Sequence, residues 1–150
     1  MVNPFDLKSA LLAKHAQHVV LVHFPIALFL SSVGFDFAAR WLRNVTIATV
    51  AYVNLLAAAV TSLPVVATGI LAWRWQLEGQ RLKGVLLMHL VMGTGSALLI
   101  CLIAWLQFRS RGKQDQPTPK FVLGLEAVAA LLVALTGHLG GFLSGVNLGG

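Results

Sequence analysis

Apolar residues fill four long blocks of the chain, at about 19–41, 46–73, 84–108 and 121–139, and nearly all charge falls between them. A hydrocarbon core of about 30 Å is crossed by roughly 20 helical residues, so each block is long enough to span. Trp41, Trp73, Trp75 and Trp105 stand at block ends, where an amphipathic ring favours the headgroup level. The "RNV" between the first two blocks leaves room only for a tight turn and forces an antiparallel hairpin. "RWQLEGQRLKG" and "RSRGKQDQPTPK" make the other two connections. The pattern predicts an all-α fold, an integral membrane four-helix bundle with short loops, as a single transmembrane domain over residues 1–150. The arm "MVNPFDLKSALLAKHAQH" has no small-residue cleavage site before its apolar run reaches spanning length. It is expected to stay attached, with an interfacial helix or the first turns of span one from Ser9 onward.

Composition agrees: 57% of the 150 residues are hydrophobic and 11% charged, against about one-quarter charged in soluble domains. No soluble domain fits. The net charge of +6 lies in loops beside the membrane, which points to anionic lipid and not to nucleic acid. On the side that holds the N-terminus, side A, stand Lys8, Lys14, Arg74, Arg81 and Lys83; side B has Arg40, Arg43, Arg109, Arg111, Lys113 and Lys120. The positive-inside rule leans slightly toward side B as cytoplasmic. The single Cys101 excludes an internal disulfide. No strong internal repeat is visible. Nor is there a Ser, His and Asp set, a phosphate loop or a cysteine pair, so no enzyme is expected.

The histidines carry the candidate chemistry. His15, His18 and His23 lie near the side A start of span one, His89 is early in span three, and His138 is close to the side A end of span four. By helical rise, His23, His89 and His138 come to comparable depth on three helices. Ionisable groups inside a membrane usually face the bundle interior and are functional by default. Neutral imidazole binds a metal or a haem iron through one nitrogen while the other donates a hydrogen bond. Zinc asks for a fourth, often anionic ligand, and the intramembrane carboxylates, Asp36 and Glu126, are near side B. A b-type haem needs only two axial histidines, expected among His23, His89 and His138, with His18 as a further ligand if a second haem is held. Gly93 one turn after His89, and Gly137, Gly140 and Gly141 around His138, leave room for a flat macrocycle. Arg74 and Arg81, with Lys83, are on the side to pair with haem propionates.

Other readings of the same residues stand beside this one. Pro25 frees the Leu21 carbonyl and Pro64 that of Val60, and a nearby polar group can satisfy either. Gly137, Gly141 and Gly145 have the four-residue spacing of a helix-packing ridge. Asp36 and Arg40 are spaced for a surface ion pair, and Glu126 for snorkelling toward side B or pairing with a loop arginine.

His18 followed by "HFPIAL", the "ATGILAW" that ends span two, the isolated His89 and the closing "HLGGFLSGV" resemble the bacterial four-helix membrane proteins grouped as domain of unknown function 2231. The resemblance runs from about His18 to Val146. The family usually has Pro after its first histidine, where this chain has Val19, and an acidic residue before the Trp that ends span two, where Ala72 stands. Similar domains are joined to Rieske iron-sulfur or c-type cytochrome domains. The resemblance thus implies membrane electron transfer in the bacterial inner membrane, with other subunits of a redox complex, a quinone, or a cytochrome or Rieske protein as partner. The expected function is a haem b electron-transfer subunit. The alternative is a cofactor-free accessory subunit that assembles a complex through its small-residue helix faces.

Overall fold

The computed structural model describes residues 14–76, 81–111 and 119–144, without the side chains of 14–16, 75, 76 and 111. Residues 1–13 of the N-terminal arm, the His15 side chain and Gly145 lie outside the described residues, while from Lys14 the arm is helical. Among the described residues five helices follow one another: α1 (Lys14–Leu21), α2 (His23–Leu42), α3 (Val45–Gln76), α4 (Gly84–Arg111) and α5 (Lys120–Leu143). α1 and α2 form one span. They part at Val22 because Pro25 has no N–H for the Leu21 carbonyl, while the Val22 N–H still reaches the His18 carbonyl at 3.0 Å.

The four helices long and apolar enough to cross a membrane are Gln17–Leu42, Val45–Arg74, Gly84–Ser110 and Lys120–Leu143. They outrun the apolar blocks by a few residues, since a helix keeps its backbone bonds into the interface until something ends it. At the first hairpin the ending is explicit. Arg43 turns left-handed at φ 50° and returns its N–H to the Ala39 carbonyl, and Asn44 Oδ1 then caps α3 by accepting the Ile47 N–H at 3.1 Å.

α2 packs against α3 and α4 against α5 as two hairpins, and the contacts of α3 with α4 and of α2 with α5 close the ring. Phe29, Leu55, Ala58, Ile103 and Ala129 are fully enclosed at its centre. Outward, Leu30, Val53, Leu98 and Leu131 are exposed on four successive helices. Such a surface is expected of a bundle whose solvent is lipid.

The two hairpins repeat one register, which the sequence reading did not detect. The interval from His18 to His89 also carries Pro25 to Ser96, Phe29 to Ile100, Ser32 to Ile103 and Asp36 to Gln107, every one of these eight buried. The same interval carries four of the five buried positions of α3, Ala51, Leu55, Ala58 and Ser62, to Val122, Glu126, Ala129 and Val133 of α5, again all buried, while Ala72 falls on the exposed Leu143. In this register α4 corresponds to α2 and α5 to α3. The repeat is written in burial and barely in letters, because lipid-facing positions are free to vary among apolar residues while inward positions answer to local packing.

Two side B expectations are corrected. The Asp36–Arg40 pair forms, with Nε 3.5 Å from Oδ2, but its carboxylate is buried at 6% exposure while the Arg40 side chain stays 28% exposed. Glu126 does not snorkel: it is 1% exposed and accepts a 2.7 Å hydrogen bond from Gln107 Nε2 at Oε1. A carboxyl this near the helix axis is held by its inward-facing register position, which the core residues Val122 and Ala129 on the same face dictate.

Candidate functional site

A cavity of about 450 Å³ occupies the side A end of the bundle. Its walls combine apolar side chains such as Ile26, Val66 and Leu90 with His18, His23 and His89 and a set of glycines. The volume lies within the range of roughly 300–1,000 Å³ usual for ligand and cofactor pockets.

His18 and His89 meet across it. Their ring centroids are 6.5 Å apart with planes at 85°. Each ring is tethered to the second helix of its own hairpin. His89 Nδ1 lies 3.1 Å from the Thr136 carbonyl oxygen, an acceptor only, so Nδ1 carries the proton and, in the neutral ring, Nε2 carries the lone pair. His18 Nδ1 lies 3.3 Å from Thr68 Oγ1, whose own hydroxyl proton goes to the Val65 carbonyl at 3.0 Å. With its proton so placed, Thr68 Oγ1 can accept from the His18 ring.

Glycine makes the close approach possible. A Cβ at Gly69 would sit 3.0 Å from His18 Cε1, and one at Gly140 would sit 3.2 Å from His89 Cε1. Gly69 and Gly140 are themselves one repeat interval apart. Each histidine thus lies on a glycine of its neighbouring helix; the two half-sites share the histidine and the glycine but not the tether, a side-chain hydroxyl for His18 and a backbone carbonyl for His89.

The remaining residues singled out from sequence spread around this pair. His23 is exposed and lines the cavity rim. His138 is exposed, with its ring edge-on to Phe142 at 5.0 Å between centroids. Gly93 lines the cavity, and a Cβ there would meet Thr136 Cγ2 at 3.4 Å. Gly137 faces Ile26, 4.0 Å from the Cδ1 methyl to where a Cβ would sit, as a packing glycine would. Arg74, Arg81 and Lys83 are exposed at the same end of the bundle. Among the described residues no group of three or more His, Cys, Asp and Glu is placed to share a metal ion. What the sequence reading undervalued was His18 as the partner of His89. The signal available was the shared interval that joins His18 to His89 and Gly69 to Gly140.

Fold and site together define a four-helix integral membrane protein, multi-pass, whose two hairpins close a two-histidine cavity at one end. The chain belongs to the family described as predicted membrane protein (DUF2231), whose family model matches residues 14–147. No curated protein and no solved structure matches it.

Proposed function

We propose that this protein is a b-type haem electron-transfer subunit of the bacterial inner membrane, with the haem iron held between His18 and His89. The observation that carries the reading is the tethered imidazole pair at 6.5 Å. His18 and His89 would hold the iron from two facing helices, one imidazole nitrogen from each. His89, whose Nδ1 donates to the Thr136 carbonyl, has its lone pair on Nε2 in the neutral ring, the atom an iron would take. Thr68 Oγ1 and the Thr136 carbonyl orient the rings and raise their basicity as ligands. Gly69 and Gly140 seat the two rings, and Ile26, Val66 and Leu90 give the cavity an apolar lining.

When bound, the haem supplies a one-electron carrier whose potential follows from its axial ligands, hydrogen bonding and burial. Arg74 and Arg81, exposed at that end, offer guanidinium groups to propionates at headgroup level. With such short connections on the bundle, electron exchange runs to partners in or beside the membrane: other subunits of a redox complex, a quinone, or a cytochrome or Rieske protein. His23 at the rim is the substitute ligand that the sequence favoured.

The test is a dithionite-reduced minus oxidised spectrum of the purified protein, expressed with ample haem, and a pyridine haemochrome assay for stoichiometry. A b-type α band is expected, lost in His18→Ala and in His89→Ala and retained in His138→Ala. A flat spectrum, or a band that survives both losses, would overturn the assignment and leave the cofactor-free assembly subunit as the better account.

A further inference from the structure

The opposite end of the bundle holds a second polar site that the histidine cavity does not use. Glu126 on α5 and Asp36 on α2 are both buried, at 1% and 6% exposure, and Gln107 on α4 is buried with them at 4%. Gln107 donates to Glu126 Oε1. Glu126 Oε2 is enclosed and has no hydrogen-bond partner among the described residues. The Asp36 carboxyl and the Arg40 guanidinium are within electrostatic range of Glu126, and Arg40 pairs with Asp36. At this level α3 presents apolar Ala51 and Leu55 to the core, and its titratable side chain there is Tyr52, half-buried.

Packing alone does not ask for a carboxyl at this place. The repeat of the two hairpins puts Leu55 in the position equivalent to Glu126, and Leu55 is fully buried and apolar. Asp36 and Gln107 are equivalent to each other. Where the first hairpin has Leu55 the second thus carries an acidic side chain, at a site where an apolar residue fits and where a buried charge is costly. Ionisable groups kept inside a membrane at such expense mark ion and proton paths.

We propose that Glu126 and Asp36 form a proton-binding site at the side B end of the bundle, in which one proton is shared between Glu126 Oε2 and the Asp36 carboxylate. Two carboxyl groups face one guanidinium, so a single added proton brings the group to neutrality, and it gives the orphan oxygen the hydrogen bond it lacks. Glu126 Oε2 bears the proton and donates to Asp36, while Gln107 holds Oε1. The proton comes from water on side B and returns there: Glu126 is six residues past Lys120, roughly 9 Å along the helix, and Arg40 stands about one turn nearer that face than Asp36. A metal cation is disfavoured by the guanidinium beside the carboxyls. The site stands independently of the haem reading, since none of its residues lines the cavity.

Infrared spectroscopy of the full protein in lipid vesicles tests this directly. Asp36 and Glu126 are the only carboxyl side chains in the four spans, so a protonated-carboxyl stretching band from a membrane-buried group reports on them. The expected result is one such band in the wild type that shifts in D2O, disappears in Glu126→Gln and moves in Asp36→Asn. Absence of the band from the wild type throughout a pH series would overturn the proposal without any variant. So would its persistence in Glu126→Gln of unchanged helix content, or its removal by added NaCl at constant pH, which would assign a cation site instead. Should Glu126→Gln fail to fold, the shift in Asp36→Asn decides, and an unmoved band there refutes the shared proton.

Discussion

Replacing Gly69 by alanine tests the close packing on which the histidine pair depends. The new Cβ would stand 3.0 Å from His18 Cε1 and 3.4 Å from Nδ1, against about 3.5–4.0 Å for an unstrained carbon contact. The ring cannot simply swing away, because its Nδ1 is tied to Thr68, so ring or helix must move by about half an ångström. Alanine in a helix interior gains roughly 0.5–1 kcal/mol over glycine, and overpacking of this kind costs about 1–3 kcal/mol. The net expectation is a loss of about 1–2 kcal/mol. At Gly140, where the contact to His89 Cε1 is 3.2 Å, strain and propensity nearly cancel, with a net loss of about 0–1 kcal/mol. Gly34, Gly95 and Gly124 have nothing within 4 Å of the added carbon, so their alanine variants gain up to about 1 kcal/mol. Thermal unfolding of the five single variants in one detergent, followed by circular dichroism, reads the series. If Gly69→Ala proves as stable as Gly95→Ala, the glycine-seated histidine is wrong.

Thr68→Val removes the acceptor of His18 Nδ1, whereas Thr136→Val leaves the backbone carbonyl that serves His89; in haem-loaded protein, only the first is expected to shift the midpoint potential, measured by redox titration. Gln107→Leu strands the buried Glu126 carboxyl and costs about 1–3 kcal/mol, while Gln107→Leu combined with Glu126→Leu recovers most of that loss. Chemical unfolding of the single and double variants gives the cycle, and additive losses would contradict the pairing. Ser32→Ala deletes the 2.7 Å bond from Ser32 Oγ to the Ala51 carbonyl that ties α2 to α3, an expected cost of about 0.6–1.5 kcal/mol by the same unfolding assay.

Four spans, their hairpin connectivity and the gathering of histidines at one end were legible in the sequence, because each follows from local hydrophobicity and helical rise. The Arg43 and Asn44 turn was also foreseeable, since two polar residues between spans leave the chain no other course. The pairing of His18 with His89 was not. Which face of α1 meets which face of α4 depends on how two hairpins dock, and nothing local to either helix states it.

Membership of the membrane class was thus determined by the sequence alone: apolar blocks this long have one stable solvent, and the backbone within them must close its own hydrogen bonds as helix. Tertiary structure decided the rest. It turned a chain without an evident repeat into two copies of one hairpin, drew Asp36 and Glu126 inward from where their chain positions suggested a surface, and set two imidazoles on two glycines across one cavity. Hydrophobicity is a property of each segment, whereas register around a bundle axis exists only between segments, where shape and buried polar groups choose among the packings that lipid would otherwise accept equally.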